Sequence, residues 1–128
     1  MNHPLIEACV DSHASCMAAA RGGADRLELC ANLAIGGTTP SPVVFKQVKR
    51  DCDVKINVLI RPRFGDFLYS EIEMEEMREE IETFRALGAN GVVIGALTPD
   101  GALDREKMAR LIDSAGGMDV TLHRAFDM

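Results

Sequence analysis

The sequence predicts a parallel α/β fold of the (β/α)-barrel type, and three observations lead there. First, short β-branched apolar runs alternate with amphipathic stretches along all 128 residues. Strand–helix alternation with short connections gives a parallel sheet with right-handed crossovers. Second, the runs begin near residues 5, 26, 55, 91 and 119, a period of roughly 28 residues, or one supersecondary unit each. Third, the run through Ile56, Val58, Leu59 and Ile60 is nearly continuous in apolar residues, as suits a strand covered on both faces. Eight such units would need about 230 residues to close a TIM-type barrel. The chain is therefore expected to form one partial barrel domain, 1–128, with about five strands and four helices. The chain is then either a fragment or a subunit that covers its open sheet edges by association, and a homo-oligomer or a poorly soluble chain is expected.

Each element has a local reason. Leu5 to Val10 reads as the first strand. Asp11 or Ser12 caps a helix over His13 to Arg21, and Gly22-Gly23 ends it. Arg26 to Cys30 is the second strand, followed by the loop Gly36-Gly37-Thr38-Thr39-Pro40. Ser41-Pro42 supplies an N-cap with proline at the first helical position, and the helix Val43 to Arg50 returns to the Lys55 strand. Proline cannot donate to a sheet ladder, so Arg61-Pro62-Arg63 ends that strand. Ser70 and Glu73 match a capping box for a long helix whose apolar face is Ile72, Met77, Ile81, Phe84 and Leu87. Gly91 to Leu97 is the fourth strand, and Thr98-Pro99-Asp100-Gly101 is a turn. Asp104 caps a helix to about Ser114, and Val120 to Ala125 is the fifth strand.

A formal net charge of −6 argues against a general nucleic-acid or anionic-membrane binder, since both need basic patches. No apolar run approaches the ~20 residues that span a bilayer, and the N-terminus lacks a signal pattern. A cytoplasmic location follows, with Cys9, Cys16, Cys30 and Cys52 as reduced thiols. None forms a C-x-x-C pair, so neither a zinc ribbon nor a thioredoxin-type motif is indicated.

Alternate residues of a strand share a face. Glu7, Cys9 and Asp11 fall together, as do Glu28 with Cys30, Asn57 with Leu59, Arg61 and Arg63, and Thr121 with His123 and Ala125. Ligands of parallel α/β folds bind at the carboxyl ends of the strands, where two carboxylates, two thiols, an arginine and a histidine would converge. A buried charge needs a partner, so Glu7 or Glu28 is expected beside Arg61.

The ordered motifs resemble those of the CutC copper homeostasis family. They are Glu7-Ala8-Cys9-Val10-Asp11-Ser12, the run from Gly22 to Cys30, and the run from Gly36 to Ser41. Ile60 to Phe67, Gly95 to Gly101 and His123-Arg124-Ala125-Phe126-Asp127-Met128 complete them. The family usually carries Gly-Gly-Asp where this chain has Phe64-Gly65-Asp66, and its chains run to about twice this length. The resemblance implies a cytoplasmic TIM-type barrel tied to copper handling, with Cu(I) held by Cys9 and Cys30. Soft thiolates on neighbouring strands suit low-coordinate Cu(I), whereas a free cysteine also packs as a small core hydrophobe. Cys16 and Cys52 read as structural.

The alternative is a TIM-barrel enzyme acting on a small anionic molecule. Glu7, Glu28, Arg61 and His123 would be its catalytic cluster, a carboxylate and a histidine sharing acid–base work. Arg63, Asp66, Arg124 and Asp127 would contact substrate, although Arg124 and Asp127 equally suit fixing the loop after strand five. A buried ion network with no catalytic role uses the same residues. Gly36 to Thr39 lacks the lysine of a P-loop and reads as an active-site loop. His3 and His13 read as solvated.

Overall fold

The computed structural model describes residues 4–123. Five strands alternate with four helices: β1 (Glu7–Val10), α1 (His13–Arg21), β2 (Arg26–Leu29), α2 (Pro42–Asp51), β3 (Lys55–Leu59), α3 (Glu71–Leu87), β4 (Gly91–Ile94), α4 (Arg105–Ala115) and β5 (Asp119–Leu122). A short 3-10 turn, Leu33–Ile35, follows β2. The strands form one parallel sheet in sequence order, β1-β2-β3-β4-β5. The expected partial barrel is what forms.

The helices start where side chains cap them. Ser12, rather than Asp11, caps α1 and forms a capping box with Ser15. Ser41 caps α2 with Pro42 at the first position, Ser70 and Glu73 form the expected box on α3, and Asp104 caps α4. Each cap satisfies amide donors that have no partner within the helix. Gly88 ends α3 at φ +97°, a left-handed conformation that side-chain-bearing residues rarely adopt.

The sheet's alternation separates two faces. On the helix side, Val10, Leu27, Leu29, Ile56, Val58, Ile60, Val92 and Ile94 pack with Phe45, Met77, Ile81, Phe84 and Leu111 into the main core. Phe45 of α2 meets Phe84 of α3 edge to face at 5.5 Å. On the other face, Cys30, Leu59 and Val93 form a smaller apolar cluster with Leu33. Strand register lays residues of this second face in rows. One row is Cys9, Glu28, Asn57, Gly91 and Asp119. Leu59, Val93 and Thr121 lie one step nearer the carboxyl ends.

Two expectations are corrected here. Ile72, expected on the apolar face of α3, is 73% exposed, and Met74 is buried in its stead. Ile72 stands five residues before Met77, about 140° around a helix of 3.6 residues per turn, whereas Met74 stands three before it. His13 is not merely solvated, because its Nε2 lies 2.8 Å from Asp51 Oδ2. No helix among the described residues is long and apolar enough to cross a membrane.

Candidate functional site

A cavity of about 230 Å³ opens at the carboxyl ends of the strands, lined by Glu28, Gly36, Leu59, Arg61, Phe67, Val93, Thr121, Leu122 and His123. Strand alternation brings Glu28, Leu59, Arg61, Val93, Thr121 and His123 to it from β2, β3, β4, β5 and the residues just after them. Phe67 comes from the loop before α3, and periodicity could not have placed it there.

Arg61 is the most constrained member. Only 4% exposed, it is fastened through its backbone, whose N–H donates to Thr39 Oγ1 at 2.8 Å while its C=O accepts from Thr39 N at 2.9 Å. Its Nη1 donates to the Gly37 carbonyl at 3.1 Å and Nη2 to the Gly65 carbonyl at 2.8 Å. The guanidinium lies 4.7 Å from the Phe67 ring centre, and the His123 ring stands 5.0 Å from that same ring. The expected Glu7 or Glu28 partner is not beside Arg61. Its charge is met by carbonyl dipoles and an aromatic face, and no carboxylate among the described residues pairs with it.

Glu7 is accounted for elsewhere. It opens β1 at the opposite end of the sheet, where its Oε2 accepts from Arg26 Nε at 2.5 Å, and it does not line the cavity. Glu28 does line it. Burial, then the Glu7 charge, pushes the Glu28 carboxyl above its ordinary value. The Cys30 thiol donates towards Glu28 Oε2 at 3.6 Å.

Alternation groups Arg63 with Arg61, but the chain turns after Pro62. Its guanidinium donates to Glu73 Oε2 at 2.5 Å, to Asp66 Oδ1 at 3.0 Å, and to the Asp66 and Leu68 carbonyls at 3.0 and 2.9 Å. Asp66 Oδ1 also accepts from Leu68 N at 3.1 Å. These contacts lace the loop to the first turn of α3 and consume the donors an anionic ligand would need. Arg124 and Asp127 lie outside the described residues, as does His3.

The thiols stand on the same face. Cys9 pairs in register with Glu28, and Cys30 follows two residues later, 2% exposed. Burial, then Glu28, raises the Cys30 thiol well above the ordinary thiol value, and the Cys9 charge adds to this. Burial, then Glu28 and Glu7, also raises Cys9. The pair is thus close enough to feel each other's charge and is held protonated. No group of three or more His, Cys, Asp or Glu among the described residues is arranged to hold a metal. Low-coordinate Cu(I) is the ion that such a soft donor pair suits. Cys16 is buried in the helix-side core, its thiol pushed up to about 11 chiefly by burial.

The fold and this cavity define a partial TIM-type barrel with a polar mouth. The family model "CutC family" matches residues 4–128, and the chain belongs to that family. Over 124 residues it is 51% identical to the copper homeostasis protein cutC homolog of Homo sapiens, covering 97% of this chain and 45% of that protein. It is 48% identical to a CutC family protein of Chromobacterium violaceum, covering 97% and 50%. The chain spans about half the length of these relatives. A crystal structure from Streptococcus agalactiae, provisionally described as copper homeostasis protein CutC, superposes with a TM-score of 0.91 at 34% identity, covering 98% of this chain and 61% of that one. A Burkholderia cenocepacia chain provisionally described as a phosphonomutase shares the fold alone, with a TM-score of 0.61 at 23% identity, covering 94% and 52%.

Proposed function

We propose that this chain serves copper homeostasis in the cytoplasm by binding Cu(I) as cargo through Cys9 and Cys30. The observation that carries this reading is the juxtaposition of two thiols on one face of paired strands, beside the Glu28 carboxyl. Cu(I) would replace one proton on each thiol. Glu28, whose half-buried carboxyl accepts from Cys30, would in its ionised form take up such a proton or pass it to the cavity. The family's copper homeostasis name supports the same role.

The test is an anaerobic Cu(I) competition titration on the folded chain and on the Cys9→Ser/Cys30→Ser pair. One tightly bound Cu(I) per chain, lost in the double variant, is the expected result. Binding that survives both substitutions would return the thiols to a packing role.

A further inference from the structure

The cavity holds a cation that the thiol pair does not explain. Arg61 is nearly fully buried, yet no carboxylate among the described residues pairs with it. Burying an unpaired charge is costly, so such a charge persists where something compensates it. Carbonyl contacts and the Phe67 face offset part of that cost but bring no negative charge. A guanidinium has five N–H donors. Gly37 and Gly65 take two of them, and Nε has no acceptor among the described residues. Rigid fastening by Thr39 on the backbone and by two carbonyls on the side chain keeps the fork in one orientation, the condition under which arginine recognises planar or tetrahedral oxyanions well.

The rest of the lining fits the same ligand. Leu59, Phe67, Val93 and Leu122 provide an apolar wall, while Glu28, Thr121 and His123 provide hydrogen-bonding groups. The volume of about 230 Å³ lies below the range typical of drug-sized ligands, which restricts the occupant to a small metabolite.

We propose that this cavity is a second binding site, distinct from the thiol pair, that takes the carboxylate or phosphate group of a small metabolite on the Arg61 guanidinium. Turnover by Glu28 and His123, the enzymatic alternative, requires this binding step but is not required by it.

Inorganic phosphate and propionate, titrated separately by calorimetry at constant ionic strength, distinguish the two oxyanions. At least one should saturate with a Kd of about 1 mM or tighter. Arg61→Met should weaken it at least tenfold, and Arg78→Gln, a surface change, should leave it within twofold. Should Arg61→Met fail to fold by circular dichroism, amide shifts in the unmodified chain decide instead: those of Gly36, Val93 and Thr121 should move with the anion. Failure of both anions to saturate, equal binding by folded Arg61→Met, or shifts confined to other surfaces would overturn the proposal.

Discussion

Gly91 shows how closely the second face of the sheet is packed. A Cβ at this position would stand 2.7 Å from Asn57 Oδ1 and 2.7 Å from the Asp119 carbonyl. The Asn57 side chain could swing aside, but the carbonyl belongs to the paired strand β5. Gly91→Ala should therefore lower stability by about 1–3 kcal/mol in urea unfolding, the usual cost of overpacking. At the thiols the expected effect is on pH. Both are held protonated by burial and by Glu28, so Cu(I) must expel the protons it replaces. Affinity should rise with pH, by up to about a hundredfold per unit if two protons leave. A pH-independent Kd between pH 6 and 8 would contradict Cu(I) ligation by both thiols. Much of this residue-scale picture was legible, because alternation alone puts Glu28, Cys30, Arg61 and His123 on one face. Alternation does not say how far along a strand a side chain stands, and so Glu7 was grouped with a mouth it does not reach. Nor does it survive the turn at Pro62, beyond which Arg63 answers to Glu73 and Asp66.

At the scale of elements, capping residues were the most readable signals, since an N-cap is a contact within four residues of sequence. The phase of α3 was readable as well, but only by counting: Met74, Met77, Ile81 and Phe84 keep steps of three and four, which Ile72 breaks. Met74→Ala should cost about 2–5 kcal/mol, while Ile72→Ala should stay within about 0.5 kcal/mol, both by denaturant melts. What no local pattern revealed is Glu80, on the same helix. Burial pushes its carboxyl up to about 7, against a hydrogen bond from Thr39 that lowers it. The folded state thus prefers Glu80 protonated. Its contribution is fully present below the ordinary carboxyl pKa near 4.5 and is lost as pH rises through about 7. Glu80→Gln keeps a neutral partner for Thr39, so the variant's Tm should gain on the unmodified chain between pH 5 and pH 8. Parallel Tm profiles over that range would show that Glu80 ionises freely in the fold.

For the whole molecule, the decisive feature is that, among the described residues, the edge strands β1 and β5 are each paired on one side alone. Both edges also carry apolar residues in phase with the helix-side core. Ile6 precedes Ala8 and Val10 on that face at the β1 edge, and Val120 and Leu122 pair with Val92 and Ile94 at the β5 edge. All three are exposed, Ile6 at 54% and the β5 pair at 37% and 38%. Exposed ladder groups beside apolar side chains favour strand addition by another sheet. The chain should therefore associate with further copies of itself, and light scattering should give a mass that is a multiple of 13.9 kDa. An Ile6→Lys/Val120→Lys variant, which leaves the cavity lining intact, should fall to the monomer while keeping native circular dichroism. A sharp monomer mass for the unmodified chain at micromolar concentration would contradict the argument. Association also bears on the cavity, because Thr121, Leu122 and His123 bring its rim to the β5 edge. A second copy seated there would exclude water from the Arg61 site and strengthen its hold on an anion. Oxyanion affinity should then weaken in the monomeric lysine variant, although Arg61 and its fastenings are unchanged; an unaltered Kd would mean that the cavity is complete within one chain.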